Sequence, residues 1–258
     1  MNRRTACVTG AAHGLGRALA REFWSRGYRV VLVDCDAGAL RETARELEGA
    51  VAVDCDLAVE AQVARIAENV TNLDVLGHCA AITTSGTVAA TPLADWEALF
   101  AVNLLGVVRV TRTLMPMLAA APHAQIVVVG SAFAWLPAPC KAPYAASKAA
   151  LHSFARSLAA EVQGSAIRVV TVVPGPIATA IALRGRAQDA AAARREHEFL
   201  AKRGSKPETV ARVIVNGLLR GRSRIHIGWF VRLSEWAMRI APLTVTWVVG
   251  RFRARIPG

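Results

Sequence analysis

At 258 residues, 53% of them hydrophobic, the chain is excluded from the disordered class and has material for one large α/β core. Its formal charge of +12 raises nucleic acid, a membrane surface and acidic substrates as partners; no nucleic-acid motif accompanies the arginines, so no nucleic acid is expected. The five cysteines form no Cys-x-x-Cys and read as reduced thiols of a cytoplasmic protein, and no histidine or cysteine pair has ligand spacing, so no metal is expected.

Met1-Asn2-Arg3-Arg4 runs directly into a strand pattern, which reads as no secretory leader. No uncharged apolar run reaches the roughly eighteen residues of a membrane span. Short apolar runs at 6–9, 29–33, 50–53, 74–79, 124–129 and 167–173 alternate with helical patterns. Near-continuous apolar strands separated by helices predict a doubly wound parallel sheet in three layers. A long helix is predicted over 93–119, disturbed near its end by Pro116, and another over 143–163.

The first strand leads into Thr9-Gly10-Ala11-Ala12-His13-Gly14-Leu15-Gly16-Arg17. Glycines there permit a tight turn and let backbone N–H groups at a helix start approach a pyrophosphate, with Leu15, Leu19 and Phe23 on the buried side of that helix. Asp34 follows Gly16 by eighteen residues, where a carboxylate accepts hydrogen bonds from ribose hydroxyls and repels a 2′-phosphate. Cys35 and Asp36 come next, with no immediate basic residue, which favours NAD over NADP. Asp56, in Asp54-Cys55-Asp56-Leu57, stands where an adenine amino group can be bound.

Tyr144 and Lys148 lie four residues apart at the start of an apolar helix and so share a face. An ammonium beside a phenol favours the phenolate and lowers a pKa that is ordinarily about 10, which makes Tyr144 a candidate proton carrier. Ser131 closes the preceding strand, thirteen residues upstream of Tyr144.

Taken together, the glycine turn, Asp56-Leu57, Asn103, Ser131, Tyr144-x-x-x-Lys148 and Pro174-Gly175…Thr179 occur in an order and spacing that resembles the short-chain dehydrogenase/reductase family in its single-domain, Rossmann-type form. The resemblance implies an NAD(P)-dependent interconversion of a secondary alcohol and a ketone. Tyr144 would be the general acid/base, Ser131 would hold the substrate oxygen, Lys148 would depress the tyrosine pKa and bind the nicotinamide ribose, and Asn103 would position a connecting water. Ile177 and Thr179 would hold the carboxamide. Gly10, His13, Gly14, Leu15, Gly16, Asp34, Asp56, Leu57, Ala80, Pro174 and Gly175 would complete the cofactor site, with Tyr144 and Lys148 also touching it. The family further implies a homodimer or homotetramer paired through the helices at 93–119 and 143–163.

One departure from the pattern is His78-Cys79-Ala80-Ala81, where the family usually has Asn-Asn-Ala-Gly. It bears on cofactor affinity rather than on proton transfer. A dinucleotide-binding regulatory or scaffold protein that has lost turnover is the competing class, and the intact Ser131, Tyr144 and Lys148 argue against it. His152 is expected in a core or helix–helix contact, and Cys140 is a candidate for the pocket lining.

Residues 1–228 read as one domain, with 181–206 as a mobile lid helix whose arginines (Arg184, Arg186, Arg194, Arg195 and Arg203) could meet an acidic group. A last strand is expected at 224–227. Residues 229–258 read as a helical, basic, amphipathic extension, with Arg232, Glu235 and Arg239 on one face and Leu233, Trp236, Ala237 and Ile240 on the other. Eight arginines against one glutamate from Arg220 onward, with Trp229, Trp236 and Trp247, suit either peripheral contact with a membrane or packing that closes an apolar pocket. Both point to a hydrophobic alcohol or ketone, lipid, acyl or steroid-like, as the small-molecule substrate.

Overall fold

The structure, a computed structural model, describes residues 3–187 and 189–251. In chain order the strands are β1 (Thr5–Thr9), β2 (Arg29–Asp34), β3 (Val51–Asp54), β4 (Val75–His78), β5 (Thr84–Ser85), β6 (Ala124–Val129), β7 (Ile167–Pro174), β8 (Arg186–Ala187) and β9 (Arg224–Ile227). Seven of them form a single sheet in the order β3-β2-β1-β4-β6-β7-β9, while β5 and β8 pair separately. Every pairing in the large sheet is parallel. The strand order reverses direction between β1 and β4, and ligands of such sheets bind at that switch point, outside the carboxyl ends of the strands.

Two apolar layers cover the sheet because its strands alternate strictly. Ala6 and Val8, Val30 and Leu32, and Val127 and Val129 point to one face. There they meet Leu19 and Phe23 of α1 (Gly14–Ser25), Leu40 of α2 (Ala37–Glu46), and residues of a later helix including Ile214. Cys7, Val31, Val33, Ile126 and Val128 point to the other face, against Ile66 of α3 (Glu60–Glu68) and further helices described next.

The long helix begins as α4 (Leu93–Phe100) and ends as α5 (Val107–Ala120), with a π-helical segment (Ala101–Gly106) between them. Pro116 lies inside α5, so the interruption falls at 101–106 rather than at the proline the sequence pointed to. Arg109 Nη1 donates to the Ala101 and Leu57 carbonyls there, at 3.2 Å each. The 28 residues of Leu93–Ala120 are long and apolar enough to cross a membrane by length and composition alone. Leu99, Val107, Val110, Leu114 and Leu118 are nevertheless spent on the core.

The second long helix, α6 (Ala142–Glu161), buries Leu151, Ala155 and Leu158 on the same side of the sheet. The stretch read as one lid helix is broken into α7 (Ile181–Arg184), β8 and α8 (Ala190–Arg203). The β5–β8 pairing ties it to the body, and Arg186 is engaged by Asp95 at 3.1 Å. Next, α9 (Pro207–Leu219) packs on the first face through Val210, Ile214 and Leu218.

At the end come α10 (Trp229–Ile240) and α11 (Pro242–Arg251). The α10 helix packs through Val231, which is buried with Val173 and Ala132, and through Glu235. The Glu235 carboxylate is held by Arg224, His226 and Arg239, each at 2.9 Å. Burial alone would raise its pKa, but these three partners together keep it below the ordinary carboxylate value. Glu235 thus turns inward, whereas Trp229, Leu233, Trp236 and Ile240 are exposed. Arg253 and Arg255 of the expected basic tail lie outside the described residues.

Candidate active site

Gly10 and Gly14 adopt φ of +69° and +50°, the left-handed region where a side chain strains the backbone. Space is as restrictive as conformation: a Cβ on Gly10 would lie 2.8 Å from the Ala80 backbone, and one on Gly16 would lie 2.0 Å from the Gly10 carbonyl oxygen. The turn therefore closes directly against the exit of β4 and aims the start of α1 into the cleft. Asp34 completes it from the end of β2, its carboxylate accepting from Ala12 N and Asp36 N at 3.0 Å each. His13 Nε2 meets Asp36 at 2.8 Å on the rim.

Thr9 braces the β4 exit. Its hydroxyl accepts from Cys79 N at 3.2 Å and Ala80 N at 3.3 Å. His78, at the first position of the departure noted above, is buried and bonds Thr111 of α5 through Nε2 at 2.9 Å. Its Nδ1 has no hydrogen-bond partner among the described residues. Burial pushes its pKa down to about 3, so the ring is neutral. Two contacts thus hold the exit of β4: His78 ties the strand to a helix, and Thr9 holds the following backbone.

On the other side of the switch point, Ser131 leaves β6 and its Oγ accepts from Phe133 N at 3.2 Å. His152 of α6 stands behind it, accepting from Ser131 N at 3.4 Å and meeting the Trp135 ring edge-on at 5.6 Å. Gly130 is required by that contact, since a Cβ there would lie 1.8 Å from His152 Nε2. The Tyr144 ring lies edge-on to Phe133 at 6.4 Å, and the Ser131 hydroxyl is near enough to act on its phenol electrostatically. Lys148 is buried, donates from Nζ to Val129 O at 3.1 Å, and sits 5.8 Å from the Tyr144 ring centroid.

The electrostatics differ from the sequence expectation. Burial pushes the Tyr144 phenol up to about 12; the nearby Ser131 hydroxyl pulls it down and Glu196 adds to the rise. Lys148 is itself pushed down to about 8 by burial, with the Cys79 thiol opposing. Taking both groups out of water outweighs the attraction expected between them. At neutral pH the site holds a protonated phenol beside an ammonium.

A single cleft of about 980 Å³ is lined by Gly10, His13, Gly14, Leu15, Gly16, Asp34, Asp56, Leu57, Ala80, Ser131, Tyr144, Lys148, Pro174, Gly175, Ile177 and Thr179. Asn103 stands behind this wall, fully buried in the π-helical segment. Its carboxamide bonds Ile82 N and O at 2.9 and 3.0 Å and Ser147 Oγ at 3.0 Å. Cys140, a pocket candidate, does not line the cleft. It adopts a left-handed φ of 62° at the turn before Lys141. Of the arginines expected to face an acidic group, Arg184 alone is at the cleft; Arg186 pairs with Asp95 and Arg195 with Asp189.

Three residues had no motif to announce them. Lys141 is buried, with Nζ donating to Ser85 Oγ at 2.7 Å and forming an ion pair with Glu196 of α8. Phe230 closes the far wall over Gly175, where a Cβ would come within 2.5 Å of its ring. A lysine inside Pro137-Ala138-Pro139-Cys140-Lys141-Ala142-Pro143 was the available signal for the first pair.

The glycine cradle, the helix start and the Asp34 carboxylate fit a dinucleotide, because backbone crowds Gly10 and Gly16, the Thr179 side chain crowds Gly14, and a ribose acceptor stands beside the turn. A family description, short chain dehydrogenase, matches residues 4–190, and the chain belongs to the short-chain dehydrogenase/reductase family of oxidoreductases. It is 35% identical over 188 residues to 2-(R)-hydroxypropyl-CoM dehydrogenase of Xanthobacter autotrophicus, covering 68% of this chain and 75% of that one. It overlays a short chain dehydrogenase/reductase from Burkholderia phymatum in complex with NAD at TM-score 0.82 and 25% identity, over 100% of this chain and 97% of that one. A short chain dehydrogenase from Burkholderia cenocepacia in complex with NADP shares the fold at TM-score 0.80 and 23% identity, over 97% of each chain. Similar folds therefore carry either cofactor.

Proposed function

We propose that the protein interconverts a hydrophobic secondary alcohol and its ketone with NAD, using Tyr144 as the proton carrier. The observation that carries this reading is the convergence of Ser131, Tyr144 and Lys148 with the glycine turn on one cleft. When bound, the nicotinamide supplies or accepts the hydride. Gly10, Gly14, Gly16 and the start of α1 would hold its pyrophosphate, Asp34 the adenosine ribose, Lys148 the nicotinamide ribose, and Ile177 with Thr179 the carboxamide.

The chain's own residues divide the remaining work. Ser131, which lines the same cleft as Tyr144, would orient the substrate oxygen toward the Tyr144 hydroxyl. A phenol held at about 12 keeps its proton at neutral pH and can donate it to the forming alkoxide during ketone reduction. Lys148 places positive charge beside that phenol until pH rises through about 8. Phe133, Leu136, Phe199, Leu200 and Phe230 surround the space beyond Tyr144 and favour an apolar substrate body.

Loss of reduced-nicotinamide absorbance across a panel of apolar ketones tests the reading. Tyr144→Phe is expected to lower turnover by about 10³-fold, within the range ordinary for general acid catalysis, while NAD binding persists. Reduction should decline above about pH 8 as Lys148 loses its charge, and alcohol oxidation should rise toward alkaline pH. Unchanged turnover in Tyr144→Phe, or no turnover with any ketone or secondary alcohol, would sink it.

A further inference from the structure

We propose that α10 and α11 form a docking face for an anionic membrane surface. Trp229, Leu233, Trp236 and Ile240 follow one another at helical spacing on the outer side of α10, and Leu243 and Trp247 continue the face on α11. Each is more than half exposed, from 58% for Trp236 to 84% for Leu243. A helix serving only its own domain turns such a stripe inward. Here the inward positions are taken by Val231 and Glu235, and Glu235 is locked there by Arg224 and His226.

The second helix sharpens the point. α11 is ten residues long and buries none of them among those described. A segment of that length is marginal as an isolated helix, so an apolar phase that takes up Leu243 and Trp247 accounts for what the body does not. Neither helix approaches the roughly twenty residues needed to span a bilayer, which makes the face interfacial.

Charge selects the occupant. Arg239 lies over the Trp236 ring at 5.9 Å and Arg251 over the Trp247 ring at 5.6 Å, placing guanidinium groups beside the rings. Arg232 is exposed on the same helix. A second copy docked on this face would set Arg232 and Arg251 against their own images, whereas anionic headgroups neutralise them; Arg239 is already paired with Glu235. Tryptophan beside arginine at the edge of an apolar stripe is the composition of a membrane-interface belt. Phe230, next to Trp229, lines the cleft, so docking would set the cleft against the lipid surface. The docking itself does not depend on which reaction the cleft performs.

Flotation of the full-length protein with vesicles of phosphatidylcholine alone, or with about one third phosphatidylglycerol, decides the matter. The expected result is co-flotation with the anionic vesicles only, weakened by salt, with a blue shift of tryptophan emission. Leu233→Glu with Trp236→Glu should abolish it while the thermal melt and NAD binding stay unchanged. Should that variant fail to fold, Arg232→Gln with Arg251→Gln removes two exposed charges, with the Arg251 contact to Trp247, and should weaken partition by about twenty-fivefold, roughly fivefold per arginine. Absence of flotation with both vesicles, equal flotation of wild type and the variants, or self-association that the Glu variant dissolves would each overturn the proposal.

Discussion

α1 and α10 are both twelve-residue amphipathic helices that follow a strand of the large sheet through a glycine of positive φ. α1 sends Leu15, Leu19 and Phe23 into the core and leaves Arg17 and Arg21 to pair with Glu46 at the surface. α10 sends a glutamate inward and leaves its tryptophans outside. Both have a pronounced apolar side, so periodicity alone does not say which way that side faces. The direction comes from the strand beneath. β1 is central and offers Ala6 and Val8, whereas β9 is the edge strand and offers Arg224 and His226, which an acidic partner satisfies.

The sharpest way to break this contrast is to truncate one aromatic from each helix. Phe23→Ala empties a fully buried site and should cost about 4 kcal/mol in denaturant unfolding. Trp236→Ala removes an exposed ring and should stay within about 0.5 kcal/mol. Comparable losses would mean that the outer face of α10 is covered within the protein itself.

Lys141 and Glu196 join α6 to α8, on the substrate side of Tyr144. Lys141→Met leaves a carboxylate without its cation in a largely buried place and should destabilise by about 3 kcal/mol, whereas Lys141→Met with Glu196→Leu should recover most of that loss. The thermal melts of the three proteins report it. Failure of the double variant to recover would show that the Ser85 hydroxyl, which accepts from Lys141 Nζ, and not the ion pair, sets the cost.

A smaller effect separates the strands themselves. His78 on β4 has a threonine partner, while His226 on β9 has a carboxylate. Because the folded pKa of His78 is depressed to about 3, the unfolded chain takes up the proton first as pH falls below about 6.5. Stability from this group is full above that pH and is lost progressively down to about 3, by about 2 kcal/mol at pH 5. His152, depressed to about 4, adds in the same direction. His78→Asn should flatten the acid limb of the stability profile, and an unchanged slope would remove His78 from the account.

How much of this could be read in advance follows the same division. The placement of the glycine turn, Asp34, Ser131, Tyr144 and Lys148 is legible because they stand at strand ends and helix starts, which local patterns mark. The two core faces are legible as well, since Val30 and Leu32 against Val31 and Val33 is a period of two. Lys141 with Glu196 is not, because the pair spans fifty-five positions and depends on how α8 returns across the cleft. The π-helical segment at Asn103 has no glycine or proline before Gly106 to mark it, and Pro116 drew attention to the wrong turn. The Tyr144 pKa was misjudged because burial of both partners could not be weighed from their spacing. Lys148 donates to Val129 O, and it is the phenol's own burial that raises its pKa.

Asp34 provides the finest test of the α1 side. Its carboxylate accepts from Ala12 N within the glycine turn and from Asp36 N at the start of the next loop, so it supports the turn and also presents acceptor oxygens to the cleft. The proposed preference for NAD rests on a 2′-phosphate meeting the negative charge of Asp34 and Asp36 together. Asp34→Ala should therefore weaken NAD binding by about tenfold and NADP binding far less, narrowing the preference by about 1.4 kcal/mol. Equal affinities for both cofactors in the native protein would remove the electrostatic argument. Equal losses in the variant would reduce Asp34 to a support of the turn, leaving cofactor choice to His13 and its partner Asp36 on the rim.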